Sequence, residues 1–230
     1  MSKKIIGYII LLVIIPLLVI GGAFLIKNQS YMLPLILTAV LCCVPFFIAF
    51  EKKNTTVKMM AVLAVLIALA IIGRVVFAPF PNFKPMAAIV IISGVAFGAQ
   101  AGFFCGAMSA LLSNMFFSQG PWTPFQMLTL GLIGFFAGLI FSGRLYEKKK
   151  LLWPLLFIYG AVSGLIFSLI MDIWTVISIG GTLTFEKYIA SIVLSADFTI
   201  RSIVSNVVFL VILAPVLLTI IKRLKTKYDI

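Results

Sequence analysis

The chain has 230 residues, 63% of them hydrophobic and only 10% charged, with a mean hydropathy of +1.25. A soluble domain carries roughly 25% charged residues, so an ordinary water-soluble domain is excluded and the expected solvent is lipid. The net charge of +12 is read as basic loops retained on the cytoplasmic side of a membrane rather than as a nucleic-acid footprint.

In chain order, the apolar stretches long enough to cross a bilayer, about 20 residues each, are 5–26, 31–50, 58–78, 122–142, 152–177 and 199–221. The segment 86–117 is too long for one span and reads as two helices broken near Gly98-Ala99-Gln100-Ala101-Gly102, the first of them short. Residues 1–26 begin with Lys3 and Lys4 but exceed the 7–15 apolar residues of a signal peptide and lack a clear A-x-A site, which favours a retained helix over a cleaved leader.

Eight spans with a cytoplasmic N-terminus sort the basic residues. Lys3, Lys4, Lys52, Lys53, Lys58, Arg144, Lys148, Lys149, Lys150, Lys222, Arg223, Lys225 and Lys227 fall inside. Lys27, Lys84 and Lys187 fall outside, and Arg74 and Arg201 lie in or at the edges of spans. That asymmetry places both termini in the cytoplasm of a multi-pass plasma-membrane protein. Three connectors then share the outer face in the last six helices: 79–85 (PFPNFKP), 118–124 (SQGPWTP) and 178–198.

Small residues mark helix contacts, because close backbone approach replaces hydrophobic drive inside lipid. Gly94, Gly98, Gly102 and Gly106 recur every four residues, as do Gly134 with Gly138 and Gly160 with Gly164. Ala61, Ala64 and Ala68 form a smooth face on another helix, suited either to internal packing or to the grip of a second membrane protein.

Polar residues at membrane depth are functional-site hypotheses by default. Asp172 and Arg201 fall near the outer face and Arg74 a turn before the first outer connector, where an Asp172–Arg pair and contact with an incoming polar ligand are both open. Asn114 and Asn206 read as interhelical hydrogen-bonders. Trp122 alone would be an aromatic-belt residue, but Gln119, Trp122, Thr123 and Gln126 lie within eight residues, and Phe80, Asn82, Phe83 and Lys84 stand on the same face. Aromatic surface with a few amides and a cation is the lining of a small-molecule pocket. Prolines at 79, 81, 85, 121 and 124 stiffen both connectors.

The chain has no histidine, six scattered acids, and three cysteines of which Cys42 and Cys43 share one apolar run and Cys105 lies in another. A histidine-based triad, a zinc centre and a carboxylate-rich di-metal site therefore lack the residues to build them, a disulfide framework is not expected, and no GxxxxGK[ST] nucleotide loop occurs. An integral-membrane lipid-modifying enzyme would have to rely on Asp172, Asp197 and Glu186 alone. A stand-alone ion-coupled transporter would be expected to show internal repeats and mid-membrane acids that are not visible here.

Over about residues 56–225 the chain resembles the substrate-binding S components of energy-coupling factor (ECF) vitamin transporters. The resemblance rests on the Ala64-xxx-Ala68 helix, GRVVFAPFPNFKP, the glycine-studded SGVAFGAQAGFFCGAMSALLSN, and SQGPWTPFQM followed by LGLIGFFAGLI, in that order. It implies an all-α, six-helix membrane bundle, here preceded by two extra N-terminal transmembrane helices within 1–55 and followed by a basic cytoplasmic tail at 226–230. It also implies a vitamin held near the extracellular face, with loops 79–85, 118–124 and 178–198 over it. Partners would be a transmembrane coupling subunit, contacted through Ala64 and Ala68, and two ATPase subunits, which alone use ATP. The SQGPWTPFQM variant is most similar to S components for cobalamin and related corrinoids. With no histidine, cobalt could not be held by imidazole, and Cys105, midway along a helix, is open to packing or ligation.

Overall fold

The computed structural model describes residues 3–25, 32–50, 56–143, 146, 149–180 and 182–228. Lys27, Lys52, Lys53, Arg144 and Lys148, used above for the charge asymmetry, lie outside the described residues.

Every extended apolar run forms a helix. The N-terminal helix runs as α1 (Lys3–Ile9), a π-helical turn (Ile10–Ile14) and α2 (Ile15–Leu25), followed by α3 (Met32–Phe50). The turn widens immediately before Pro16, which has no N–H to give back to the preceding turn. The next helices are α4 (Thr56–Val76), α5 (Met86–Phe97), α6 (Ala99–Phe117) and α7 (Thr123–Phe141). The last three are α8 (Lys149–Gly180), α9 (Phe185–Leu194) and α10 (Ala196–Tyr228). Five helical stretches are apolar and long enough to cross a membrane: Ile5–Ala23, Val57–Val76, Thr123–Phe141, Lys150–Ile179 and Ala196–Tyr228. The all-helical, multi-pass membrane architecture expected from the sequence is the one observed among the described residues.

Two boundaries differ from expectation. The stretch 178–198, expected as a loop, contains the helix α9, because Thr184 caps it by accepting from the Lys187 N–H and Glu186 occupies its first turn. The basic tail is helical through Tyr228, a direct continuation of α10, and Lys225 Nζ donates to the Ala96 carbonyl while lying 4.8 Å from the Phe97 ring centroid.

The short helix α5 is the centre of the bundle. At 12 residues it is only about 18 Å long, too short for a hydrocarbon core of about 30 Å. Protein rather than lipid surrounds it, and every residue from Met86 to Val95 is buried against α4, α6, α7 and α10. It ends at Gly98, whose φ of 92° is open to glycine at little cost, and α6 starts at the next residue.

The glycine spacing works as a three-helix seam. A Cβ at Gly94 or Gly102 would strike the Gly134 carbonyl, one at Gly106 the Leu130 carbonyl, and one at Gly138 the backbone of Gly98 and Ala99. Thus α5, α6 and α7 meet backbone to backbone. A Cβ on Gly98 itself would meet nothing within 4 Å, so its place in the spacing serves the helix break, while its backbone abuts Gly138. On the far side, Gly160 faces the Leu210 side chain and Gly164 the backbone at Ile203, joining α8 to α10.

The N-terminal helices pack chiefly on α6 and α7. Tyr8 meets the Phe135 ring edge-on at 5.0 Å, and Leu11, Ile15 and Val19 are buried. Ala61, Ala64 and Ala68 on α4 stay exposed, beside Val65, Leu69 and Ile72.

Candidate functional site

The connector 77–85 is a chain of tight turns, with backbone bonds Ala78 N–H to Val75 O, Phe80 N–H to Phe77 O and Phe83 N–H to Phe80 O. Pro79, Pro81 and Pro85 fix φ along it, and Asn82 takes the left-handed region at φ 56°, which Asn tolerates better than most residues. Asn82 Nδ2 donates to the Phe198 carbonyl at 2.8 Å, and Phe83 packs between Phe77 (6.0 Å) and Phe209 (5.1 Å). The connector is therefore fastened to the first half of α10 by the Asn82 amide, by one aromatic cluster and by the Ser205 hydroxyl, which bonds both backbone groups of Lys84.

Connector 118–122 is fastened differently. Gln119 Nε2 donates to the Leu111 carbonyl, the Gly120 N–H to Thr123 Oγ1, and Ser118 has φ 72°. Thr123 begins α7 with Pro124 in the first turn, a place where the missing N–H is harmless.

Beside the 77–85 connector lies a polar cavity lined by Arg74, Asn82, Lys84, Met86, Ala87, Gln126, Leu130, Phe167, Ser202 and Asn206. Six segments contribute: α4, the 77–85 connector, the first turn of α5, α7, α8 and α10. Several of its polar groups are held by residues outside the lining. Arg74 Nη1 donates to Ser113 Oγ (2.6 Å) and Asn114 Oδ1 (2.8 Å), and the guanidinium lies 4.6 Å from the Phe117 ring centroid. Asn114 Nδ2 passes the contact on to Thr123 Oγ1 and Gln126 Oε1, both at 2.9 Å. Asn206 Nδ2 donates to Ser163 Oγ at 2.9 Å. Burial and the nearby Arg74 cation push the Lys84 ammonium down to about 8. The free space is about 20 Å³, enough for a water or two, so a larger ligand requires the walls to part.

A second, roomier cavity of about 460 Å³ lies between the end of α8 and α9, lined by Asp172, Thr175, Val176, Ile179, Lys187, Ala190, Ser191, Leu194 and Ser195. Its carboxylate is already engaged: Asp172 Oδ1 accepts from Ser191 Oγ and Oδ2 from Ser195 Oγ, each at 2.9 Å. Together with Tyr188 Oη donating to the Leu169 carbonyl, these bonds hold α9 onto α8. The smaller cavity has the convergent polar groups of a ligand site; the larger is a helix-docking joint with space beside it.

The residues singled out in the sequence are therefore distributed over several places. Asn82, Lys84 and Gln126 line the polar cavity, and Thr123 supports it through Asn114. Trp122 does not line it; its ring lies over Gly120, where a Cβ would collide with the indole. Phe80 is exposed, Phe83 belongs to the aromatic cluster, and Gln119 secures its own connector. Asp172 pairs with neither arginine: Arg201 bonds Asp197 (2.8 and 3.1 Å) in an exposed i,i+4 pair, and Arg74 is held by Ser113 and Asn114. Arg74, Met86, Ala87, Leu130, Phe167, Ser202 and Asn206 complete the lining. Among the described residues no group of three or more His, Cys, Asp or Glu could hold a metal ion.

A buried half-helix stands at the centre of a multi-pass membrane bundle, with a small cavity lined by polar and apolar side chains at its N-terminal end. The family model for the ECF transporter substrate-specific component matches residues 58–224, and the chain belongs to that family. It is thus a substrate-specific membrane subunit of an ECF transporter, a transport component that works with coupling and ATPase subunits. No curated protein and no solved structure matches the chain.

Proposed function

We propose that the chain captures a vitamin-class small molecule in the cavity between Arg74, Lys84, Gln126 and Asn206, and releases it through the coupling subunit as the two ATPases turn over. The observation that carries this is the convergence of six chain segments on one polar cavity at the end of the central half-helix. The charge asymmetry of the sequence supports a reading in which that end faces outward and both termini lie in the cytoplasm. Opening begins with the 77–85 connector, because its attachments are few: the Asn82 amide, the Phe77–Phe83–Phe209 cluster and the Ser205 hydroxyl. The exposed Ala61, Ala64 and Ala68 face of α4 is the surface offered to the coupling subunit, and the N-terminal helices brace α6 and α7.

Cobalamin is the ligand that the SQGPWTPFQM segment suggests, and it belongs in the binding panel beside smaller vitamins. The test is titration of the purified full chain in detergent, without partners or ATP. Binding of one panel member supports the capture role. Saturable uptake by cells that contain this chain but no coupling subunit would refute dependence on that module.

A further inference from the structure

We propose that the ligand is an anion whose carboxylate or phosphate is met by the Lys84 ammonium and the Arg74 guanidinium, an inference that rests on the cavity being the ligand site. Two cations line this small space, and no Asp or Glu is among its lining residues. The remaining polar lining, Asn82, Gln126, Ser202 and Asn206, is neutral. The acids at this end of the chain are elsewhere: Asp172 is held by Ser191 and Ser195, Asp197 is paired with Arg201, and Glu186 stands exposed in the first turn of α9.

Two like charges in a half-buried space oppose each other, and each prefers a counter-charge. Arg74 spends one nitrogen, Nη1, on its two neutral acceptors, Ser113 and Asn114. Lys84 has its backbone, not its ammonium, tied down: the N–H donates to Ser205 Oγ and the carbonyl accepts from it. A third positive contribution comes from α5, whose first two residues, Met86 and Ala87, line the cavity and whose N-cap, Pro85, offers no side-chain cap. The N-terminal end of a helix favours negative charge. A neutral ligand would leave both cations uncompensated on closure, and a cationic one would add a third like charge.

The experiment uses the full chain in detergent, with native mass spectrometry and calorimetric titration against acid-and-neutral pairs. The carboxylate pairs are nicotinate with nicotinamide, biotin with biotinamide and pantothenate with panthenol. Pyridoxal phosphate with pyridoxal is the phosphate pair; riboflavin, thiamine and cobalamin complete the panel. The expected result is that one acid binds at least about 10-fold more tightly than its neutral counterpart, the worth of a charged hydrogen bond. Which pair responds tells carboxylate from phosphate. Lys84→Met should cut the preference several-fold, leaving the share due to Arg74, and Lys84→Arg should keep it; if Lys84→Met elutes aggregated, the acid-to-neutral ratio of the unaltered chain decides. Tight binding of a neutral or cationic member, unchanged by Lys84→Met, overturns the anion inference and leaves the capture role standing. Failure of every member to bind overturns both.

Discussion

Ser205 Oγ accepts from the Lys84 N–H at 2.8 Å and donates to the Lys84 carbonyl at 3.0 Å, so one hydroxyl on α10 holds both backbone groups of the residue that carries the cavity's ammonium. A serine 121 positions away in sequence thereby fixes where that charge stands. Ser205→Ala removes both bonds and leaves two half-buried backbone groups without their partner. The expected cost is about 1–3 kcal/mol, read as a lower melting temperature in detergent and faster hydrogen exchange at the Lys84 amide. Unchanged exchange at Lys84 would mean that the Asn82 amide and the aromatic cluster suffice to hold the connector.

The seam of α5, α6 and α7 gives a sharper stability contrast. At Gly134 a Cβ would strike the Gly102 carbonyl, and the obstacle is backbone, which cannot rotate away. Gly134→Ala should destabilise by at least about 1–3 kcal/mol, the usual cost of overpacking, whereas Gly21→Ala meets nothing within 4 Å and should leave the melting temperature in place. Equal effects at the two positions would contradict the seam.

Affinity for an anion should depend on pH with a definite sign. The Lys84 ammonium is pushed from its ordinary 10.5 to about 8 by burial and by Arg74. Its charged form predominates below that value, and a bound anion raises it again. Affinity should be flat near pH 7 and fall as pH rises through about 8, by up to about tenfold per unit. Arg74 stays charged, and Asn82, Gln126, Ser202 and Asn206 from the other lining elements do not titrate. Lys84→Met should flatten the profile.

Ala64→Trp or Ala68→Trp should abolish uptake in cells while leaving ligand binding by the isolated chain intact. Both residues are exposed on α4 and are not among the residues that line the cavity, and an indole there blocks close helix approach. Loss of binding in detergent would instead show that this face supports the site.

How far the site was legible follows from how its residues are spaced. Asn82, Lys84 and Gln126 lie in or beside proline-stiffened connectors, where amides and a cation among aromatics are conspicuous. Ser202, Asn206 and Phe167 sit in long apolar helices, and only the packing of α10 on α8 and α5 brings them to the cavity. Trp122 stands outside the cavity lining because its ring lies over Gly120, two residues earlier, where the missing Cβ leaves room for the indole on its own connector. The helix α9 has a readable start in Thr184 and Glu186, but at ten residues it is too short to stand out from a connector. The glycine seam was fully visible as spacing, since close approach of helices in lipid needs little else. The Asp172 contacts were not, because serines in a short outer helix give no sign of which carboxylate they will bond.

The most direct test of the central claim is the dissociation constant of the purified full chain for its ligand, measured without partners or ATP, against Gln126→Leu and Asn206→Leu. Both substitutions put apolar bulk into the cavity. The account predicts tight binding by the unaltered chain and a loss of at least about 10-fold, roughly 1.4 kcal/mol, in each variant. Affinity unchanged in both variants, with the proteins folded, would contradict the placement of the ligand between Arg74, Lys84, Gln126 and Asn206.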